Sequence, residues 1–390
     1  MTLDWDKLEK GLSGAAQVEP RKIFSILARQ ARFKRPTDEQ GEVLDIWFEC
    51  RTRQDVTIKM NTGSGKTLVG LLLLQSSLNE GVAPAVYVTP DNYLIEQVVA
   101  EAVALGIPVT TNERDRKFMS GEAILVVNVH KLFNGRSVFG VGAEGAKLPI
   151  GSLVIDDAHA CLSSIADQFA LRIPREDDLY DELLELFRED LAKHSHTNLL
   201  DIDAGDPHAI LATPYWSWKD RYKDVLKLIH SHRKDENVEW KWPLMSGVLK
   251  YCQCVFGSNS VEIAPRCLPI DMIPAFIRAR RRVYMTATLA DDGILVTHFN
   301  ADPESVAKPI KPRGAGDIGD RMILAPQEIN PAITEDEVKS LVAKIAKKRN
   351  VVVIVPSFRG RSFGKMLPRK FWTRTPSQMV SRKCEKCAWA

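Results

Sequence analysis

One hexapeptide constrains the fold more than any other part of this chain. Thr62-Gly63-Ser64-Gly65-Lys66-Thr67 follows a β-branched run, Val56 to Met60, and precedes an apolar run from Thr67 to Leu78. The glycines let the backbone curl until successive N–H groups converge, and the positive end of the following helix points at the same place. A strand, a glycine turn and a helix in that order define a phosphate-binding loop. In such a loop Lys66 reaches the β- and γ-phosphates of ATP, and the Thr67 hydroxyl ligates Mg2+. The strict pattern opens on glycine, where this chain has Met60.

Mg2+ beside a triphosphate needs a carboxylate. Leu153-Val154-Ile155-Asp156-Asp157-Ala158-His159 offers two at the end of a strand. Ligands of open α/β sheets bind at that end. Asp156 is expected to hold Mg2+ through water, and Asp157 to accept a proton from the attacking water. Further strands are predicted at Ala85–Thr89, Pro108–Thr111 and Ala123–Val129, with a helix at Tyr93–Leu105. Buried strands alternating with amphipathic helices predict an α/β fold, a parallel sheet covered on both faces.

The chain of 390 residues is long enough for two or three units. Its longest apolar run, Leu68 to Leu74, is far short of a membrane span, and Met1 to Asp6 lacks the features of a signal peptide. A soluble, cytoplasmic protein with no membrane partner is expected. The net charge of +3 conceals an asymmetry: residues 359–390 carry +8 and the rest −5. Any nucleic-acid surface must therefore be local. Seven scattered cysteines argue for reduced thiols, and Cys384 and Cys387 lack the further ligands of a zinc site.

We expect four segments. Residues 1–55 read as helices (Trp5–Leu12, Arg21–Arg32, Asp38–Arg51). Residues 56–160 with 279–345 form the α/β domain, returning with a strand at Arg282–Met285. Residues 161–278 read as a mainly helical insertion, with long helices at Asp177–Lys193 and Trp218–His232 and a mixed stretch after them. Residues 346–390 begin a second α/β unit with the strand Val351–Val355 and swing abruptly to basic sequence, which reads as an early end or a frameshift. Tyr215, Trp216 and Trp218 with Lys219 and Arg221 are an aromatic and basic cluster that reads either as core or as a base-stacking surface.

These motifs resemble those of the superfamily 2 DEAD/DEAH-box helicases. Motif I is similar to Thr62–Thr67, motif II to Asp156–His159, and motif III to Thr286-Ala287-Thr288. Val88-Thr89-Pro90 resembles motif Ia. Arg35-Pro36 and Gln40 resemble the adenine-reading segment, and Asn128 to Leu132 resembles a further strand-end contact. The resemblance implies a RecA-like P-loop fold with ATP and Mg2+ as cofactors. It assigns catalysis to Lys66, Asp156 and Asp157, and ATP binding to Arg35, Gln40, Thr62, Gly63, Ser64, Gly65, Lys66, Thr67 and His159. Thr67 and Asp156 hold the metal. Thr89, Pro90, Asn128, His130 and Lys131 grip single- or double-stranded nucleic acid, DNA favoured over RNA, alone or within a larger complex. Thr286 and Thr288 relay the γ-phosphate state to that grip.

Asp156 and Thr286 are 130 residues apart, and an insertion there is similar to the arch of XPD and DinG-type helicases. Those relatives carry an iron–sulfur cluster between motifs I and II, where this chain has no cysteine between Thr67 and Asp156. Asp157 stands where the family has Glu. Nothing after Phe358 resembles motifs V or VI, and Arg359, Arg361 and Arg369 do not match their arginines. The expected function is an ATP-dependent helicase or translocase. The alternative is a non-catalytic half-motor that binds ATP and nucleic acid, and an unrelated P-loop ATPase comes third.

Overall fold

The computed structural model describes residues 16–142, 145–287, 293–313 and 325–347, and the strand segments 352–354 and 372–374. The expected helix Trp5–Leu12, and the residues Thr288, Arg359, Arg361, Arg369, Cys384 and Cys387, lie outside the described residues. The chain divides into two compact units, Met1–Ala315 and Gly316–Ala390.

The first unit is built on strands β1 (Asp55–Lys59), β2 (Ala85–Thr89), β3 (Val109–Thr110), β4 (Ile124–Asn128), β5 (Ser152–Ile155) and, after the insertion strands, β10 (Arg281–Thr286). They form one sheet in the order β1-β10-β5-β2-β4-β3, every pair parallel. A parallel sheet must be covered on both faces, and alternation along each strand does this. Tyr87, Val126, Val154 and Met285 enter one core with the helices Asp38–Cys50 and Lys66–Asn79. Val86, Val88, Leu153 and Tyr284 enter the other. Leu68 to Leu74 are all buried, because this helix lies within the fold rather than on it. It approaches the sheet closely at Gly70, where a Cβ would lie 2.8 Å from both Met285 Cε and Tyr87 Cε2.

At the sheet's other edge, Asp55 opens β1 and is buried. Arg282 grips its two oxygens at 2.7 Å each, Tyr284 Oη donates to it at 3.1 Å, and the Asp302 N–H at 3.0 Å. Carboxylate, guanidinium and phenol thus lock β1 to β10 where the two strands begin.

The expected helix Arg21–Arg32 is shorter, running over Pro20–Ile26. Leu27 turns extended, and the Arg29 guanidinium donates to the carbonyls of Phe24 (2.8 Å) and Phe33 (2.9 Å), holding the chain in a turn. In the insertion, helices predominate, including Asp178–His194 and Tyr215–Ser231. They pack on a four-stranded antiparallel sheet that the sequence reading did not resolve. Its strands are β6 (Leu171–Pro174), β7 (Ile210–Ala212), β8 (Cys252–Gly257) and β9 (Ser260–Pro265), in the order β6-β9-β8-β7. Trp218 stacks on Phe187 at 5.8 Å, with Phe256 and Tyr180 completing an aromatic core. Among the described residues no helix is long and apolar enough to cross a membrane.

In the second unit β11 (Val352–Ile354) pairs in parallel with β12 (Trp372–Arg374), and the helix Glu335–Ala346 starts on a capping box between Thr334 and Glu337.

Candidate nucleotide and strand-binding edge

Because all six strands of the first sheet are parallel, their C-terminal ends lie along one edge. Neighbouring strands are ~4.8 Å apart, so the loop after β1 and the aspartates after β5 stand about 10 Å apart, with the end of β10 between them. Thr57↔Tyr284 and Tyr284↔Ile155 share one level of the sheet. The Met60 N–H donates to Thr286 O at 3.0 Å, so the phosphate loop starts from the last residue of β10.

Gly63 (φ 85°) and Gly65 (φ 78°) both take left-handed backbone that favours glycine. Gly65 is also crowded: a Cβ there would lie 2.2 Å from Gln40 Nε2. Gln40 is buried, and both ends of its amide are hydrogen-bonded. Its Oε1 accepts from Thr37 N at 2.9 Å, as half of a capping box, and its Nε2 donates to Ser64 O at 2.8 Å. Arg35 is exposed, as are Thr62 and Gly63, and a Cβ at Gly63 would meet nothing within 4 Å. The loop's mouth is therefore open.

Lys66 Nζ rests on the carbonyls of Met60 (3.2 Å) and Asn61 (3.4 Å). Burial pushes its pKa down, against the opposing pull of Asp156 and Asp157. Asp156 is pushed the other way: burial raises its carboxyl, while the Tyr87 hydrogen bond and Lys66 hold it down. A half-buried lysine and a buried carboxylate, each pushed by burial towards its neutral form, suit a ligand that brings phosphates to one and a cation to the other. Tyr87 Oη donates to Asp156 Oδ2 at 2.8 Å, and the Thr67 side chain also bonds Tyr87. The two expected metal ligands, Thr67 and Asp156, are thus joined through one phenol. Tyr87 was missed from sequence, although a tyrosine inside Ala-Val-Tyr-Val-Thr must find a partner for its hydroxyl once buried.

Asp157 is exposed and left-handed (φ 47°), and its N–H donates to Asp156 Oδ1 at 3.0 Å. His159 Nε2 is buried without a partner among the described residues. Thr286 is buried.

On the far side of β5 the expected strand contacts divide. Thr89 is fully buried, its hydroxyl donating to Asp91 O at 2.9 Å, and Pro90 is buried too. Their side chains pack into the end of β2. The hydroxyl has satisfied itself on main chain, the cheapest way to bury it. Asn128 caps the helix Val129–Leu132, accepting from Lys131 N at 2.9 Å. Lys131 pairs with Glu113 at 3.1 Å, and His130 is exposed. In the aromatic cluster, Trp218 is buried with Nε1 on Leu249 O at 3.1 Å, and Arg221 pairs with Asp190. Tyr215 and Trp216 are exposed.

A parallel sheet with a phosphate loop, paired aspartates and a strand between them along one edge is a RecA-like P-loop fold. Residues 37–175 match the family model described as DEAD/DEAH box helicase, and the chain resembles the superfamily 2 helicases. Among solved structures it is similar to S. tokodaii Xpd4, at 15% identity and a TM-score of 0.49, covering 84% of this chain and 72% of that one. It is also similar to a structure described as XPD_APO, at 13% identity and 0.42, covering 82% and 70%. No curated protein matches.

Proposed function

We propose that this chain is an ATP-dependent motor that moves along or unwinds nucleic acid. The observation that carries it is the common edge, where Lys66, Thr67, Asp156 and Asp157 meet across Thr286. The open glycine loop, with Lys66 and Asp156 each pushed by burial towards its neutral form, fits ATP with Mg2+. Thr67 and Asp156 would hold the metal, which supplies charge neutralisation at the phosphates. Lys66 would leave its two carbonyls for phosphate oxygens, and Asp157 would take a proton from the attacking water. Thr286, whose carbonyl holds the start of the phosphate loop, would pass strain from that loop into β10. Asn128, His130 and Lys131 would meet the phosphate–sugar backbone, a contact that carries little sequence information.

One observation favours the half-motor that binds without turning over. Asp157 is a methylene shorter than the glutamate of the resembled family, which leaves its carboxylate farther from the attacking water. Steady-state ATPase with and without single-stranded DNA or RNA decides between the readings, with Lys66→Ala as control. Stimulated turnover that the variant lacks supports the motor. ATP binding without turnover supports the half-motor.

A further inference from the structure

Four aromatic side chains are strongly exposed among the described residues: Tyr215 at 72%, Tyr251 at 67%, Trp216 at 61% and Trp240 at 51%. Three of them are carried by segments that meet. Thr213 N donates to Cys254 O at 2.8 Å, closing the β7–β8 pair; two residues on, Tyr215 starts its helix, while Tyr251 immediately precedes β8. Trp218 Nε1 ties that helix's first turn to Leu249, two residues before Tyr251. Tyr215, Trp216 and Tyr251 therefore flank one end of the same strand pair.

The patch is cationic. Lys219 follows Tyr215 by four residues and Trp216 by three, the spacings that share a helix face. Lys223 follows one turn later. Lys250 Nζ lies 4.6 Å from the Tyr251 ring centroid and also feels Tyr222. Lys219 and Lys223 are exposed and have no ion-pair partner among the described residues; the acids beside them on the helix are Asp220 and Asp224, the latter paired with Lys227 at 3.1 Å. Three lysines, with Asp220 as the one acid there that has no lysine of its own, interleaved with rings, is the composition of a surface that stacks bases and tracks phosphates.

We propose that Tyr215, Trp216 and Tyr251, with Lys219 and Lys250, form a second binding site for single-stranded nucleic acid on the insertion. The proposal rests on the nucleic-acid reading above and gives the strand a purchase outside the parallel sheet. Base stacking fits better than burial of a protein partner, because unpaired lysines would lose water against an apolar face and gain nothing in exchange.

The test measures anisotropy of fluorescein-labelled dT20 and rU20 with the full chain at two salt concentrations. Three proteins are compared: wild type, the Tyr215→Ala/Trp216→Ala/Tyr251→Ala triple variant, and a triple variant carrying Phe at the same positions. Binding of a fluorescent ATP analogue and sedimentation velocity accompany each. The expected result is an affinity loss of at least about 10-fold in the alanine variant, recovery within about 3-fold by phenylalanine, and unchanged nucleotide binding. Equal oligonucleotide affinity of alanine variant and wild type overturns the site while leaving the motor reading standing. Failure of phenylalanine to restore affinity overturns stacking. Wild-type self-association that the alanine variant loses, without change in oligonucleotide affinity, makes the patch a contact between copies and overturns the proposal. No oligonucleotide binding by the wild type, with nucleotide binding retained, overturns the nucleic-acid reading itself.

Discussion

Tyr87 Oη and Asp156 Oδ2 stand 2.8 Å apart in the middle of the sheet, the phenol donating to a carboxylate that burial has pushed towards its neutral form. Burial and the adjacent carboxylate hold the phenol well above its usual range, so it remains a donor at any working pH. The bond lowers the Asp156 pKa, and burial raises it.

Replacing Tyr87 with Phe removes the lowering contribution. The Asp156 pKa then rises, and the pH below which the carboxylate is lost to protonation moves upward. In a pH profile of Mg2+-dependent ATPase the acid limb should shift to higher pH in Tyr87→Phe, with the alkaline limb unmoved. The apo protein's stability follows the matching sign. A carboxyl raised above its ordinary 3.8 binds its proton more tightly folded than unfolded, so its contribution falls as pH rises from there through the folded value. Urea titrations should show that fall extending to higher pH in the variant.

Among the described residues Lys66 hydrogen-bonds no more than two loop carbonyls, so its removal should leave the fold intact. For Lys66→Ala we expect a melting temperature within about 2 °C of wild type, a shift of at most roughly 1 kcal/mol. ATPase should fall by about 100-fold or more. In the wild type, ATP affinity should weaken with rising pH earlier than an ordinary lysine would require, because burial lowers the Lys66 pKa. Fluorescent-nucleotide titrations across alkaline pH measure this.

Gly65→Ala meets two obstacles, the left-handed backbone and the Gln40 amide 2.2 Å from the new Cβ. Gln40 must swing away, giving up Ser64 O and straining the Thr37 cap. A loss of about 1–2 kcal/mol in stability is expected, with a larger loss of nucleotide affinity. Gln40→Ala should reproduce the cap's share of that stability loss alone, by chemical denaturation.

Removing Asp55 strands Arg282, the Tyr284 hydroxyl and the Asp302 N–H together. Asp55→Ala should cost about 3–5 kcal/mol, and pairing it with Arg282→Met should recover much of the loss. The double variant, folded, should bind nucleotide as wild type does, since the pair lies where β1 and β10 begin.

The parallel sheet was legible because its strands are short apolar runs bounded by turn residues. Ala85–Thr89 was placed to the residue, and β1, β4, β5 and β10 within a residue or two at either end. The insertion's sheet was harder. Cys252, Cys254 and Phe256 alternate inward on β8, as do Val261 and Ile263 on β9, but cysteines and an interspersed Gln and Glu dilute the alternation. At the candidate site, residue type shows which groups can do chemistry, and register brings Lys66, Asp156 and Thr286 to one edge. Which way a side chain turns at a strand's end depends on packing from distant segments. Thr89 turned inward for that reason, Trp218 went to the core beside Tyr215 and Trp216 at the surface, and Tyr87 acquired its role only once Asp156 was laid beside it.

The position of β10 has a consequence for synthesis. This strand fills the gap between β1 and β5, yet it is translated 125 residues after β5 ends. A nascent chain that has made Lys66 and both aspartates still lacks the piece that spans them, and β1 has no neighbour in the sheet until residue 286 leaves the ribosome. The strands β2 to β5 can assemble early, while the phosphate loop waits for the insertion to fold and carry the chain back across the sheet, from the end of β5 to the start of β10. Closing that long loop is the step at which the phosphate loop and the aspartates come to share one edge, so lesions in the insertion's core should surface first as chains caught during synthesis with an unfinished sheet.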